Sequence, residues 1–324
     1  VATPSSIFTE LVSTTWRNHA KDVKDNVSRN NALYARMVEK GQTRKEDGGL
    51  TITQPLDYAE NGTYQRYSGY DVLNISQSDV ITAVEFQWRQ IALNVVASGL
   101  EMRVNSGDNK IVSLAKARIK NAMRTFKNNF SFDLYGDGTL PNQIGGLQAL
   151  VADNGTGTIG GIDSSAWPFW QNAVQSAAAP IQGGGAVTVS ATTIENSIML
   201  PLWLNQVRGD DKPDLIISSN DWFSFYETSQ VSIKRYTTAG EAKGGFTSLK
   251  YKTADVMFDG GSGIPAAHMY FLNTDYIELV VHRDADLTVQ EDMKPYNQDA
   301  TVIPILWMGN MVTSNRRLQA VAKA

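Results

Sequence analysis

Residues 106–151 read SGDNKIVSLAKARIKNAMRTFKNNFSFDLYGDGTLPNQIGGLQALV. Between Lys110 and Lys127 stand six bases (Lys110, Lys116, Arg118, Lys120, Arg124, Lys127) and no acid. Ile111, Ala115, Ile119, Ala122, Met123, Phe126 and Phe130 recur at the i, i+3, i+4 spacing of one apolar helix face. That spacing predicts a helix over Asp108–Leu134, with Ser106 or Asp108 able to cap its start. Lys116, Lys120, Arg124 and Lys127 fall together on a face turned largely away from the apolar one. Tyr135-Gly136-Asp137-Gly138-Thr139 ends the helix, because glycine accepts the left-handed backbone of a C-cap. Ile144-Gly145-Gly146-Leu147 then opens a second apolar run.

The cationic face is unusual in its setting. A run of charge is ordinarily a solvated face. Helices usually offset lysines with glutamates one turn away, and here there are none in a chain of net charge −4. Such repulsion is relieved by a polyanion, or by an acidic surface of another subunit lying opposite. A sequence-independent phosphate contact would suit, and no base-reading motif accompanies it.

Around this helix lie 324 residues, 42% apolar and 19% charged, which is ordinary for a globular chain of roughly two lobes. The acidic balance excludes a protein that is basic overall, so contact with nucleic acid needs a local patch. The absence of cysteine excludes disulfides and thiolate metal sites. The apolar runs Ile198–Leu204 and Val302–Met308 fall far short of a membrane span and each contains a proline. Val1–Ser6 has neither the charged start nor the apolar core of a secretory signal.

N-terminal to the basic helix, Ile7, Phe8, Leu11, Val12, Trp16, Ala20, Val23 and Val27 recur at helical spacing, and a short helix Leu33–Val38 ends at Gly41. Residues 42–96 change character: Ile52, Tyr58, Tyr64, Tyr67, Tyr70, Val80, Val84, Phe86 and Trp88 are β-branched or aromatic. Asn61-Gly62 signals a hairpin turn, and Val84–Trp88 alternates as a half-buried strand does. With few large aliphatics of its own, this stretch is expected to be a two-stranded excursion that finds its partner surface on another subunit. The competing expectation is a surface hairpin of the same domain.

C-terminal to it, Asp153–Gly161 is a glycine-rich loop, and Ser164 or Ser165 is expected to cap a helix carrying Trp167, Phe169, Trp170 and Val174. Thr192 and Glu195 have capping-box spacing ahead of Ile194, Ile198 and Leu202, with a kink at Pro201. Asp214–Ser218 reads as a short buried strand and Trp222–Tyr226 as a helix. Thr237–Ser248 reads as a loop. Strands follow at Val256–Phe258, Met269–Leu272, Tyr276–His282 and Ile303–Asn315, ahead of a basic tail Arg316–Ala324.

Catalytic signals are missing. Gly155-x-Gly157-x-x-Gly160 lacks the helix start and the acid of a dinucleotide site. Asp133, Asp137 and Gly138 lack the glutamate of a calcium loop. His19, His268 and His282 show no metal spacing, and no nucleophile elbow is present. No catalytic residue, cofactor or metal ligand is therefore assigned, and the chain is expected not to be an enzyme.

Taken in order, these segments resemble the major capsid protein of tailed bacteriophages, an α+β chain of the Hong-Kong-97-like fold. Residues 1–41 look like its N-terminal arm and 42–97 like its extended β loop, including Thr63-Tyr64-Gln65-Arg66-Tyr67-Ser68-Gly69-Tyr70. Residues 98–144 look like the peripheral domain with its long spine helix, 145–254 like the axial domain, and 255–324 like strands returning to the peripheral domain. The resemblance implies a structural protein whose copies form the pentamers and hexamers of an icosahedral shell around double-stranded DNA. The shell would be part of a virion and assembled in the host cytoplasm, with scaffolding, portal and cement proteins as further partners and no membrane. Lys116, Lys120, Arg124 and Lys127 would face the genome by non-specific contact. Tyr58, Tyr64, Arg66, Tyr67 and Tyr70 would lie on a neighbouring subunit. The alternatives are an encapsulin-type compartment of the same fold and a sequence-independent nucleic-acid-binding module.

Overall fold

The computed structural model describes residues 31–104, 114–231, 248–259 and 263–324. The helix expected near the N-terminus, the caps Ser106 and Asp108, and most of the loop expected at 237–248 lie outside them. In chain order the helices are α1 (Ala32–Glu39), α2 (Gly99–Val104), α3 (Leu114–Tyr135), α4 (Leu147–Leu150), α5 (Leu200–Gln206) and α6 (Asn220–Val231). The strands are β1 (Thr43–Glu46), β2 (Ile52–Asp57), β3 (Ile81–Phe86), β4 (Arg89–Ser98), β5 (Thr158–Ile159), β6 (Ile162–Asp163), β7 (Ala173–Ser176) and β8 (Leu215–Ser218). They continue with β9 (Ser248–Tyr251), β10 (Ala254–Phe258), β11 (His268–Leu272), β12 (Ile277–His282), β13 (Thr288–Val289), β14 (Ala300–Thr313) and β15 (Ala320–Lys323).

One sheet runs β1-β12-β14-β13, and β4 pairs with β14 antiparallel over ten residues, from Ala300↔Ser98 to Gly309↔Arg89. On this sheet lies α3. Phe126 and Phe130 stack at 5.1 Å, and Phe130 meets the edge of Trp307 of β14 at 5.0 Å. This is the apolar face that the helical spacing predicts.

A second, six-stranded sheet runs β7-β15-β11-β8-β10-β9. It is a wall between two cores. Leu215, Ile217, Tyr270, Leu272 and Val321 point into the core shared with α3 and the first sheet. Ile216, Met269, Phe271, Ala320 and Ala322 point into a core closed by Leu202, Trp203, Trp222, Phe223 and Tyr226 of α5 and α6. A strand buried on both faces has no polar side to alternate with, which is why Leu215-Ile216-Ile217 is an unbroken apolar run.

Several expectations change. The stretch after Ser164 is not one helix: a single 3-10 turn at Pro168–Trp170 gives way to β7, which holds Val174. Ahead of α5 the chain makes a π-helical turn over Ile194–Met199, and Pro201, with no N–H to donate, sits in the first turn of the α-helix that follows. Arg316–Ala324 is no tail: β15 is an inner strand, parallel to β7 and antiparallel to β11. The boundary expected at residue 255 is likewise displaced. β10, β11 and β15 belong to the sheet of β7, β8 and β9, and only β12, β13 and β14 return to the sheet under α3.

The knot after α3 explains its glycines. Gly138 takes φ +72, the left-handed region. Gly136 and Gly146 are needed for closeness instead. A Cβ on Gly146 would lie 2.4 Å from the Asp133 carbonyl oxygen and 2.5 Å from that of Gly136.

Candidate assembly interface

Strands β2 and β3 form the hairpin, in register from Ile52↔Phe86 to Asp57↔Ile81. Its two faces have opposite fates. Ile52, Leu56, Val84 and Phe86 are buried in the chain's own core, while Thr53, Asp57, Ile81, Ala83 and Glu85 are exposed. The Glu85 N–H donates to the Gly160 carbonyl at 3.1 Å, and Gly160 is so close that a Cβ there would lie 2.8 Å from Val84 Cβ. Tyr58 packs against Trp167 and Phe169, with centroids 6.0 and 5.8 Å away. The expectation that the whole stretch 42–97 lacks a core of its own is therefore corrected. β1 and β4 belong to the main sheet, the base of the hairpin is seated on the chain's own body, and Tyr58 is an internal anchor.

Beyond Tyr58 the picture reverses. Tyr64, Tyr67, Tyr70, Val72, Leu73 and Ile75 are each at least half exposed, and Arg66 is exposed beside them. Residues 58–80 contain no ladder, so Asn61-Gly62 is not the hairpin's turn. The tip is shaped by side chains that bond its backbone. Gln65 spans it, donating from Nε2 to the Val72 carbonyl (3.0 Å) and accepting from the Asn74 N–H (2.9 Å). Asn61 accepts from the Thr63 N–H (3.0 Å), and Asp71 from the Ser68 N–H (2.8 Å). Asn and Asp side chains stabilise such turns locally, and they leave the tyrosines turned outward.

The basic helix face is thinner than the sequence suggests. Arg118 is spoken for: its guanidinium makes two hydrogen bonds to the Glu101 carboxylate, at 2.8 and 2.9 Å, and a third to the Val96 carbonyl at 2.6 Å. The hydrogen bond from Arg118 holds the buried Glu101 carboxyl below its ordinary 4.5. The compensating acid comes from α2 rather than from the same helix. Arg124, expected on an open face, is buried. Lys120 and Lys127 are exposed, and the side chain of Lys116 lies outside the described ones.

A buried cation elsewhere escaped the sequence. Arg316 has no exposed surface and bonds the carbonyls of Leu150 (2.7 Å), Trp170 (3.2 Å) and Thr156 (3.4 Å) and the Ser164 hydroxyl (3.1 Å). Desolvation pulls its pKa down to about 10. All four acceptors lie in residues 150–170, the segment that carries Gly160, Trp167 and Phe169 to the hairpin. Arg316 thus supports the seat of the hairpin from behind. Nothing in its sequence neighbours distinguishes it from the adjacent Arg317, which is only partly buried.

The histidines are structural where described. His268 Nε2 lies 3.0 Å from Asp153 and its Nδ1 2.8 Å from the Ala266 carbonyl. His282 Nδ1 accepts the Asp284 N–H, and its ring meets Trp88 edge-on. Among the described residues, no group of three or more His, Cys, Asp or Glu is placed to hold a metal ion, and no helix is long and apolar enough to cross a membrane.

The layout of hairpin, long helix on a first sheet and a second walled sheet is an α+β fold of the Hong-Kong-97-like class. Solved structures bear this out over nearly the whole chain. The capsid asymmetric unit of cyanophage A-1(L) superposes with a TM-score of 0.65 at 16% identity, covering 94% of this chain and 96% of that one. The capsid of the Myoviridae phage XM1 gives 0.57 at 9% identity, covering 94% and 95%. The holo-SrpI encapsulin complex from Synechococcus elongatus gives 0.53 at 6% identity, covering 100% and 96%. No protein-family model and no curated protein matches the chain.

Proposed function

We propose that this chain is the structural subunit of a phage-type icosahedral capsid, built from pentamers and hexamers of identical copies. The observation that carries it is the hairpin tip. Six large apolar side chains stand exposed on an ordered tip whose base is fixed to the body, and exposed apolar patches of this kind mark interaction sites. Burying one such side chain gains about 1.5–3 kcal/mol. A half-buried tip therefore supplies on the order of 5–9 kcal/mol, against an association cost of about 4–15 kcal/mol. One tip contact is marginal, and closure of a shell draws on several contacts per subunit. The role is that of packing rather than catalysis, in a virion, around double-stranded DNA held without sequence preference. Scaffolding, portal and cement proteins are further partners of that reading.

The test is electron microscopy of the purified full chain across a concentration series. Closed shells or rings of five and six support the proposal, and a monomer at every concentration refutes it. The encapsulin superposition favours one second reading, a compartment of the same fold that holds protein. Particles isolated from the native source separate the two: nuclease-protected DNA inside belongs to a capsid, an enclosed protein to a compartment.

A further inference from the structure

A cavity of about 290 Å³ opens beside the seat of the hairpin. Tyr58, Trp167 and Phe169 line it with rings, Ile81 and Ile162 add aliphatic surface, and Asp79 supplies a carboxylate. The ring centroids are 6.0, 5.8 and 6.3 Å apart, with interplanar angles of 83°, 41° and 67°. No two of the rings are stacked, so none spends its face on a neighbour. The walls are fixed in advance. The Trp167 N–H donates to the Asp163 carbonyl at 3.0 Å, and Trp170 Nε1 donates to the Ile159 carbonyl at 3.1 Å. Across the cavity, the Tyr58 N–H donates to the Val80 carbonyl at 2.9 Å and so holds the neighbouring Asp79 in place.

The charge around this cavity has one sign. From residue 48 to residue 88 there are five acids, Asp57, Glu60, Asp71, Asp79 and Glu85, against the single base Arg66. Asp79 is exposed, and among the described residues it has no ion pair. An anion is repelled here. Ring faces with a carboxylate beside them are surroundings that a cation favours. Size and rim narrow the choice further. The volume lies just below the range of pockets for free organic ligands, about 300–1,000 Å³, and suits a single side chain. Trp167 is 50% and Ile81 73% exposed. A bare cation would leave that apolar surface wet, whereas the methylene stem of a long basic side chain covers it.

We propose that this cavity receives one lysine or arginine side chain of a partner polypeptide. The cationic head lies against Asp79 and the ring faces, and the stem runs along Ile81 and Trp167. The site is complete within one copy, so it stands whether or not copies close into a shell. Because the walls are already held by the chain's own hydrogen bonds, little ordering is left to oppose binding.

The experiment is saturation-transfer NMR on unassembled subunits of the purified full chain. The probes are pentapeptides blocked at both ends, with arginine, lysine or the neutral isostere citrulline between glycines, and tetramethylammonium. The arginine and lysine peptides are expected to bind, and the citrulline peptide and tetramethylammonium to bind more weakly. Asp79→Asn and Trp167→Leu should each weaken the basic peptides by about two- to thirtyfold, the span of cation–ring contacts from exposed to desolvated sites. Circular dichroism confirms that each variant is folded. Should Trp167→Leu fail to fold, Asp79→Asn, at an exposed position, carries the test alone. Citrulline that binds as well as arginine, or Asp79→Asn that leaves binding unchanged, overturns the inference and makes the cavity an apolar recess. Tetramethylammonium that binds as tightly as the peptides overturns the polypeptide partner and makes the cavity a site for free cations. Absence of binding by every probe overturns the site itself, and none of these results bears on whether copies form a shell.

Discussion

Replacing Arg316 with alanine probes the seat of the hairpin. The side chain is fully buried and donates four hydrogen bonds, none to a carboxylate. Each bond from a cation is worth about 1.5–3 kcal/mol, and burying the charge takes back several kcal/mol. What decides the outcome is what the truncation leaves. The carbonyls of Leu150, Trp170 and Thr156 lose this donor, and a buried acceptor left unpaired costs about 1–3 kcal/mol. The Ser164 hydroxyl keeps its bond to the Gly157 carbonyl at 2.9 Å. With the cavity added, Arg316→Ala is expected to cost about 3–6 kcal/mol, a large share of a typical stability of about 5–15 kcal/mol. Arg316→Lys keeps the charge, but one ammonium cannot span three separated carbonyls, so it should recover less than half. Urea unfolding of unassembled subunits measures both, with tryptophan fluorescence reporting the loosened Trp167–Trp170 turn. A loss below about 1 kcal/mol for alanine, or a lysine variant as stable as the parent, would refute the reasoning.

Two further perturbations follow from the structure. The Glu101 carboxyl is held below 4.5 chiefly by the Arg118 hydrogen bond, so its contribution is complete above pH 4.5 and drains away as pH falls through the lower folded value. Glu101→Gln should cost about 1–3 kcal/mol at pH 7 and flatten the acid limb of a pH–stability profile; an unchanged acid limb would remove the carboxylate from the account. At the knot after α3, Gly146→Ala forces a methyl onto two carbonyl oxygens, whereas Gly138→Ala meets no atom closer than 3.5 Å and pays only for its φ of +72. Thermal melts should show the first as the more damaging, by more than about 1 kcal/mol, and the reverse order would show the knot to be slack.

β8, β11, β12 and β14 were legible in the sequence because each is a short apolar or alternating run with turn residues beside it. The apolar face of α3 was legible because Phe126 and Phe130 keep helical spacing. Pairing across the chain was not. β1 runs parallel to β12, more than two hundred residues away, with Thr43 opposite Leu279, and no local pattern encodes that. β15 read as a tail because four residues flanked by bases carry little signal. Its burial follows from the wall it completes between two cores. At the candidate interface, the exposure of Tyr64, Tyr67 and Tyr70 was legible from the scarcity of large aliphatics around them and from the family resemblance, while the inward seat of Tyr58 and the clamp of Arg118 on Glu101 needed tertiary contacts. Arg124 shows the same limit, since periodicity gives a residue's face on its helix and says nothing about what covers that face.

The central claim is that copies of this chain join through the hairpin tip. It is tested most directly by sedimentation and microscopy of the full chain beside a variant whose residues 60–78 are replaced by a short Asn-Gly turn. The account predicts shells from the parent, and from the shortened chain only unassembled subunits with an unchanged thermal midpoint. Shells of equal number and size from both would contradict it.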